Sequence, residues 1–224
     1  NMPTLGCIGF HPTKLPKGRG RAPLAWTILE ENEGSATYFL MGKGADDGPI
    51  FVQELFEVAH DDDATTVEKK IEKAIYKSLD RWLPLLKKGI WNPTPQDENK
   101  ASWYGKRTQE DGLINWQDSA EYINKLIKAS THPHPGAYTF FKDYKLIIWE
   151  SLLEKNIPIK GVTGRILLKD KDKGVLVQCG EGLIWLKNIE LNNDLTLRIG
   201  NKLGYNIENE IFKIKKQLKN VLNE

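Results

Sequence analysis

Two residues of this chain, His11 and Asp46, have side chains and surroundings suited to moving a proton. His11 follows the apolar residues 8–10, and Asp46 lies 35 positions later in a Gly-x-Asp-x-Gly turn. A histidine can transfer a proton or donate a hydrogen bond to a developing oxyanion, and a nearby carboxylate can orient its ring and favour its charged form. A lone histidine is more often a core residue, and such turns are often purely structural. Because a basic loop follows His11, we predict that His11 and Asp46 form a catalytic pair.

The basic loop, residues 14–21, carries four cations within eight positions. The cations are Lys14, Lys17, Arg19 and Arg21, separated by Pro16, Gly18 and Gly20. Arginine presents a planar fork of donors that matches a phosphate or a carboxylate. We therefore predict that this loop binds an anion, with a solvated loop as the alternative. It lacks the Gly-x-x-x-x-Gly-Lys-Ser/Thr order of a P-loop.

The elements predicted around these residues are short strands and helices. A buried strand is predicted over residues 5–10, and Pro12 stops it from continuing. A helix is predicted over 22–31, strands over 35–41 and 50–58, and a helix from 61 to 88. The three acids at 61–63 fit a helix cap better than a metal site. His11 and Asp46 each follow a predicted strand end. In an α/β sheet, strand ends can meet at a crevice where ligands bind.

The character of the chain changes after a polar, proline-containing boundary at residues 91–100. A helix begins at Asp118, and short strands follow at 137–141, 145–152, 164–168, 175–179 and 183–189. This spacing favours a small β-barrel. The tail from Asn206 carries an apolar stripe opposite lysines, which predicts an amphipathic helix that packs on the body or on a second copy in a homodimer.

Composition excludes several function classes. The 224 residues include 32 basic and 30 acidic side chains, a net charge of +2 that gives no strong field for nucleic acid. The sequence contains no run of 18 apolar residues, so no membrane span is predicted. Only two cysteines, Cys7 and Cys179, argue against a disulfide framework, so we expect a cytoplasmic protein. His132 and His134 alternate with prolines, and two further ligands for a zinc ion are missing, so no metal is predicted.

The motifs above resemble those of the folate-dependent formyltransferases. That family carries an Asn-x-His-(Pro/Gly)-Ser-Leu-Leu-Pro loop, often followed by Arg-Gly-Arg-Ala-Pro, and an Asp-x-Gly turn. The matching text here is Gly9-Phe-His-Pro-Thr-Lys-Leu-Pro-Lys-Gly-Arg-Gly-Arg-Ala-Pro and Asp46-Asp-Gly. Two further segments, Arg107-Thr-Gln-Glu-Asp-Gly-Leu-Ile-Asn-Trp and Pro133-His-Pro-Gly-Ala-Tyr-Thr-Phe, are similar to the C-terminal domain of methionyl-tRNA and sugar N-formyltransferases.

The resemblance implies an α/β fold, in which a partial Rossmann-like formyltransferase domain precedes a small OB-like β-barrel domain. The expected division is the C-terminal half of the catalytic domain at 1–91, a linker at 92–106, the OB-like domain at 107–191 and a helical tail at 192–224. The N-terminal half of the catalytic domain is expected to lie upstream of this sequence.

The resemblance further implies transfer of a formyl group from 10-formyltetrahydrofolate to the amine of a nucleotide-linked amino sugar. His11, held by Asp46, would stabilise the tetrahedral oxyanion or move the amine proton. The backbone of Lys43, Gly44 and Ala45 would line the pterin pocket. Arg19 or Arg21 would fix a substrate phosphate or the shape of the loop.

Gly9 departs from the family pattern, because it replaces the asparagine two places before the histidine. Glycine cannot donate the side-chain hydrogen bond to the formyl oxygen, and losing one such donor costs roughly 10²–10³ in rate. A non-catalytic binding protein with a degenerate formyltransferase fold is therefore one alternative. Methionyl-tRNA formylation is the other, but the acidic linker Gln96-Asp-Glu-Asn and the mixed charges disfavour it.

Overall fold

The structure is a computed structural model that describes residues 6–191, 195–205 and 207–222. It divides the chain into two units, one formed by Asn1–Gly112 with Lys125–Gly136 and the other by Leu113–Asn124 with Ala137–Glu224. Leu5, in the first predicted strand, and Asn206, in the predicted tail helix, lie outside the described residues.

The first unit contains a three-stranded antiparallel sheet, a two-stranded parallel pair and helices. Its elements are β1 (Ile8–Thr13), β2 (Arg19–Gly20), α1 (Pro23–Leu29), β3 (Gly34–Leu40), β4 (Ile50–Phe56), α2 (Ala64–Lys87) and β5 (Trp103–Tyr104), with 3-10 turns at Glu98–Lys100 and Gln109–Gly112. The sheet order is β1-β3-β4, and β2 pairs with β5. Helix α2 packs on β3 and β4, and α1 packs on β1.

Strand β1 extends further than the sequence predicts. We expected a strand over residues 5–10, stopped by Pro12, but it continues through His11 and Pro12 to Thr13, so that end point is wrong. The ladder pairs His11 with Thr37 and Thr13 with Gly34, and its register shifts at the proline between them. Proline has no N–H to donate, so a strand tolerates it where the ladder is already irregular. His11 therefore lies inside the strand, not after its end.

Helix α2 begins as predicted at an acidic cap. The Asp63 side chain accepts a hydrogen bond from the Thr66 N–H at 2.8 Å, and the Thr66 hydroxyl accepts one from the Asp63 N–H at 2.8 Å, which together form a capping box. The helix buries Val67 and Ala74 against α1 and the sheet, together with Trp82. Gly89, with a φ of 76°, follows its last turn.

The second unit contains two antiparallel sheets. Its strands are β6 (Ala137–Phe141), β7 (Tyr144–Ile148), β8 (Ser151–Glu154), β9 (Ile166–Asp170), β10 (Gly174–Gln178), β11 (Leu183–Leu186) and β12 (Ile189–Glu190). One sheet has the order β8-β11-β10-β9 and the other β12-β7-β6. Helix α3 (Ala120–Ser130) begins in this unit, and α4 (Ile207–Leu222) ends the described chain. The mixed α/β class predicted from the sequence is confirmed.

Two of the predicted strands are each divided in the structure. Residues 145–152 become β7 and β8, and residues 183–189 become β11 and β12. The breaks are opposite each other, since Trp149 N–H donates to Asn188 O at 2.8 Å and Lys187 N–H donates to Glu150 O at 3.0 Å. The two segments thus stay hydrogen-bonded through the breaks while passing from one sheet to the other, as strands do at the corner of a sandwich or barrel.

Helix α4 leaves an apolar stripe exposed, including Ile211, Ile214 and Leu218. No described helix has both the length and the apolar composition needed to cross a bilayer. Both cysteines are free, with Cys7 exposed and Cys179 buried, and burial raises the pKa of the Cys179 thiol to about 12.

Candidate active site

His11 is buried, with only 5% of its surface exposed, and each of its ring nitrogens faces an oxygen. Nε2 lies 2.8 Å from the carbonyl oxygen of Gly18, and Nδ1 lies 3.5 Å from Asp46 Oδ2. Because a carbonyl oxygen only accepts, Nε2 must carry a proton and donate to Gly18. The contact with Asp46 is attractive when Nδ1 is also protonated. The doubly protonated imidazolium therefore satisfies both neighbours.

Asp46 lies in the turn between β3 and β4, at a φ of 55° that is uncommon for a residue with a side chain. The Gly20 N–H donates to Asp46 Oδ2 at 2.8 Å, the oxygen that also faces His11. Gly48 closes the turn, where a Cβ would lie 1.5 Å from the Leu40 carbonyl oxygen, so only glycine fits there. The turn and β2 together aim the Asp46 carboxylate at β1.

The structure places Arg19 inside the protein. Arg19 is only 1% exposed. Its Nε and one terminal nitrogen donate to Gln96 Oε1 at 3.2 and 2.9 Å, and its two terminal nitrogens donate to the Glu98 carboxylate at 2.9 and 2.7 Å. These internal contacts favour the alternative in which Arg19 fixes the shape of the loop. Arg21 is exposed.

Gln96 and Glu98 are site neighbours that the sequence analysis missed. In the sequence they belong to an acidic linker, and their one signal is a polar Gln-Asp-Glu run that begins 77 positions after Arg19. The hydrogen bond to Arg19 lowers the pKa of Glu98, and the same bond raises the pKa of Arg19.

The Arg19–Glu98 pair predicts a dependence of stability on pH. Because the pKa of Glu98 is lowered from 4.5, its stabilisation is present above that value and is lost as pH falls through the lowered one. Glu98→Gln is therefore expected to reduce the free energy of unfolding near pH 7 and to make little difference well below pH 4. Urea unfolding of both proteins across this pH range measures the difference in stability. A deficit that does not change with pH would contradict the ion-pair explanation.

The predicted pterin segment is accessible. Lys43, Gly44 and Ala45 are all exposed, immediately before Asp46. The Asp47 side chain is hydrogen-bonded to this segment, since its Oδ2 accepts from the Gly44 N–H at 3.0 Å. Asp47 Oδ1 is buried and has no hydrogen-bond partner among the described residues, so the turn holds one unused acceptor.

The space beside Gly9, where the resemblance places an asparagine, is occupied by an aromatic ring. Gly9 pairs with Phe39 across β1 and β3. A Cβ at Gly9 would lie 2.7 Å from Phe39 Cζ and 3.1 Å from Met41 Cγ. An asparagine side chain therefore fits only if the buried Phe39 ring moves.

This crowding gives a prediction for Gly9→Asn. The substitution is expected to lower the free energy of unfolding by about 1–3 kcal/mol, because it overpacks a buried contact. Gly105→Asn is the matched control, since a Cβ at Gly105 meets nothing within 4 Å. Adding Phe39→Ala to Gly9→Asn should relieve the clash, but it also removes the stabilisation that the buried Phe39 ring contributes. Urea denaturation compares them, and a Gly9→Asn protein as stable as the Gly105 control would show that the ring moves freely.

No group of three or more histidine, cysteine, aspartate or glutamate side chains in the described ranges is arranged to hold a metal ion.

Two family models match the chain in sequence order. The model described as "Formyl transferase" matches residues 1–83, and the model described as "Formyl transferase, C-terminal domain" matches residues 106–202. The fold class implied by the resemblance, a partial Rossmann-like domain followed by a small β domain, is confirmed by these matches.

Several solved structures share the fold. HypX from Aquifex aeolicus in complex with tetrahydrofolic acid is 20% identical with a TM-score of 0.68, over 81% of this chain and 31% of its own. Methionyl-tRNA formyltransferase from Clostridium thermocellum is 23% identical with a TM-score of 0.59, over 68% of this chain and 65% of its own. An N-formyltransferase from Helicobacter canadensis, in complex with folinic acid and dTDP-3-aminofucose, is 17% identical with a TM-score of 0.64, over 80% of this chain and 65% of its own.

This chain thus spans from 31% to 65% of the length of these three proteins. Their identities are low, so the structural likeness concerns the fold. The two family models, in contrast, match most of the sequence, in the order in which the two domains occur. The chain therefore belongs to the formyl transferase family.

Proposed function

We propose that the protein containing this chain transfers a formyl group from 10-formyltetrahydrofolate to the amine of a nucleotide-linked amino sugar. The observation that carries the proposal is the placement of a buried histidine 3.5 Å from an aspartate in a shaped turn, within a formyl transferase domain. Relatives of the fold have been solved with tetrahydrofolic acid and, in another case, with dTDP-3-aminofucose.

His11 and Asp46 have complementary roles in this reaction. When the amine attacks the formyl carbon, a new C–N bond forms and the formyl oxygen gains negative charge. The intermediate then breaks its bond to N10, and tetrahydrofolate leaves with the proton that the amine has lost. The His11 imidazolium would donate a hydrogen bond to that oxygen. Because Nε2 already donates to Gly18, this requires Nε2 to leave Gly18 or Nδ1 to leave Asp46. Asp46 would keep the ring oriented in the first case, in which Nε2 leaves Gly18 and Nδ1 stays beside the carboxylate.

The co-substrate supplies the formyl group, and the residues before Asp46 fit its pterin ring. Lys43, Gly44 and Ala45 are exposed. A pterin carries N–H groups, which are the partners that backbone carbonyls require. We assign the anionic part of the acceptor to Arg21, because Arg19 is occupied internally.

A binding protein without catalysis is the second candidate. The Phe39 ring beside Gly9 favours it, because the position of the family's amide donor is filled by an apolar side chain. Such a protein would hold folate or a nucleotide sugar without transferring the formyl group.

The test is formyl transfer by the full-length parent of this chain. The protein is incubated with 10-formyltetrahydrofolate and nucleotide-linked 3-amino and 4-amino sugars, with methionyl-tRNA as a further acceptor, and products are detected by mass spectrometry. Formylated sugar that disappears in His11→Ala but persists in His60→Ala, a control at an exposed histidine, supports the proposal. If methionyl-tRNA were the only acceptor formylated, the amino sugar would be wrong as the acceptor and methionyl-tRNA would take its place. Binding of a sugar without any product would favour the second candidate.

A further inference from the structure

We infer that Gln96 is a positioning residue that holds the Asp46 turn in the conformation needed to face His11. Its Nε2 donates to the carbonyl oxygen of Asp46 at 2.8 Å and to that of Gly48 at 2.7 Å. One side-chain amide therefore ties down the carbonyl oxygens of Asp46 and Gly48, the residues on either side of Asp47. The inference deepens the proposed function and rests on it for its catalytic consequence.

The Asp46 backbone needs such a restraint. Its φ of 55° lies in the left-handed region, which a residue with a Cβ enters only when its surroundings enforce it. A turn released from this conformation would rotate the Asp46 side chain away from β1. The two bonds from Gln96 oppose that rotation from the main-chain side, and the Gly20 N–H holds the carboxylate itself.

The orientation of the Gln96 amide is fixed by Arg19. Gln96 Oε1 accepts from two nitrogens of the guanidinium, which can only donate. Nε2 must therefore face the two carbonyl oxygens, and a flipped amide would leave both ends mispaired. Glu98 holds the other side of the guanidinium through two hydrogen bonds, the bidentate geometry in which arginine is most strongly oriented.

These residues form a continuous chain of contacts that we call the Glu98–Arg19–Gln96 clamp. Arg19 and Gly20 are the two residues of β2, so one short strand supplies both the guanidinium that orients Gln96 and the N–H that holds the Asp46 carboxylate. Pairing of β2 with β5 fixes that strand. The clamp thus sets both the main chain and the side chain of Asp46.

The test compares Gln96→Ala and Gln96→Glu with a matched control. Gln96→Glu keeps an acceptor for Arg19 but replaces the donor that the two carbonyls need. Gln178→Ala is the control, because Gln178 makes an equivalent set of bonds in the second unit, donating to the carbonyls of Cys179 and Gly182 and accepting from the Gly161 N–H. Asp46→Asn supplies the reference for a lost carboxylate.

The first readout needs no substrate. Long-range ¹H–¹⁵N spectra of this chain report the His11 Nδ1 resonance, which senses the carboxylate of Asp46. In both Gln96 variants this resonance is expected to move toward its position in Asp46→Asn, while Gln178→Ala leaves it in place. An Nδ1 resonance unchanged in a folded Gln96→Glu protein would overturn the inference, even if Gln96→Ala does not fold.

The second readout is the kinetics of the full-length parent. Misplacing a catalytic group by about 1 Å costs on the order of 100-fold, so we expect kcat to fall about 10- to 100-fold while KM for 10-formyltetrahydrofolate stays within about threefold. A loss confined to KM would assign Gln96 to binding and overturn its positioning role. If the unmodified parent makes no formylated product, the proposed function fails, and the Nδ1 resonance alone still decides whether Gln96 positions Asp46.

Discussion

Under the proposed function, Asp46→Asn is expected to lower kcat/KM for formyl transfer by about 10²- to 10⁴-fold, the range that general acid–base groups contribute. The amide keeps the size of the side chain and an oxygen that can accept from the Gly20 N–H. It removes the negative charge 3.5 Å from His11 Nδ1, so a proton on Nδ1 loses its attractive partner.

Steady-state kinetics of the full-length parent measure this effect, with Asp61→Asn as a control at an exposed aspartate of the same unit. A defect in kcat with little change in KM is expected, because the charge acts on the reacting centre. Activity within about threefold of the unmodified protein, well below the loss of a general acid–base group, would remove Asp46 from the catalytic pair and leave it as a turn residue.

Leu176→Ala is expected to lower the free energy of unfolding of the second unit by about 2–5 kcal/mol. Leu176 is fully buried in β10, which has a neighbouring strand on each side, and it packs with Leu183 and Trp185. Truncation removes buried methyl groups and leaves a cavity beside β10, which is paired on both sides and cannot move easily to close it.

Leu152→Ala is the matched control, because Leu152 is an exposed leucine on β8 of the same sheet. Its effect should stay within about 0.5 kcal/mol, as for most surface substitutions. Urea denaturation monitored by tryptophan fluorescence compares the two. An equal loss of unfolding free energy in Leu176→Ala and Leu152→Ala would contradict the assignment of Leu176 to the core.

The meeting of His11 and Asp46 could be anticipated from the sequence, because both residues sit beside glycine- or proline-marked segments flanking apolar strands. The route by which they meet could not. We expected two strand ends at a crevice, but His11 lies within β1 and Asp46 in the turn after the antiparallel neighbour β3. Pro12 suggested a strand end because it lacks an N–H, and only the register shift at that residue shows how the strand passes it.

The position of Arg19 could not be predicted from local sequence. A loop with four cations looks solvated or anion-binding, and nothing within it shows that one guanidinium is buried. Its partners Gln96 and Glu98 lie 77 and 79 positions away. Contacts between residues this far apart depend on the tertiary fold, whereas the periodicity of a helix such as α2 is local and was predicted with its cap.

The divided strands illustrate the same limit. Apolar alternation placed strands at 145–152 and 183–189, and most of these residues are extended. Alternation reports which face of a strand is buried, but not which sheet that face belongs to. The transfer of both segments between sheets at Glu150 and Lys187 is decided by their partner strands.

The pairing of β2 with β5 bears on how this family member could be recombined with others. Residues 84–105 lie between the two family matches, so they would be a natural place to join halves of two different enzymes. Yet Gln96, Glu98 and Trp103 belong to the same unit as His11 and contact β2. In a chimera joined before Gln96, the Asp46 turn would come from this protein and the residues at positions 96 and 98 from the other one. A junction after Tyr104 would keep the turn and the Glu98–Arg19–Gln96 clamp from the same protein.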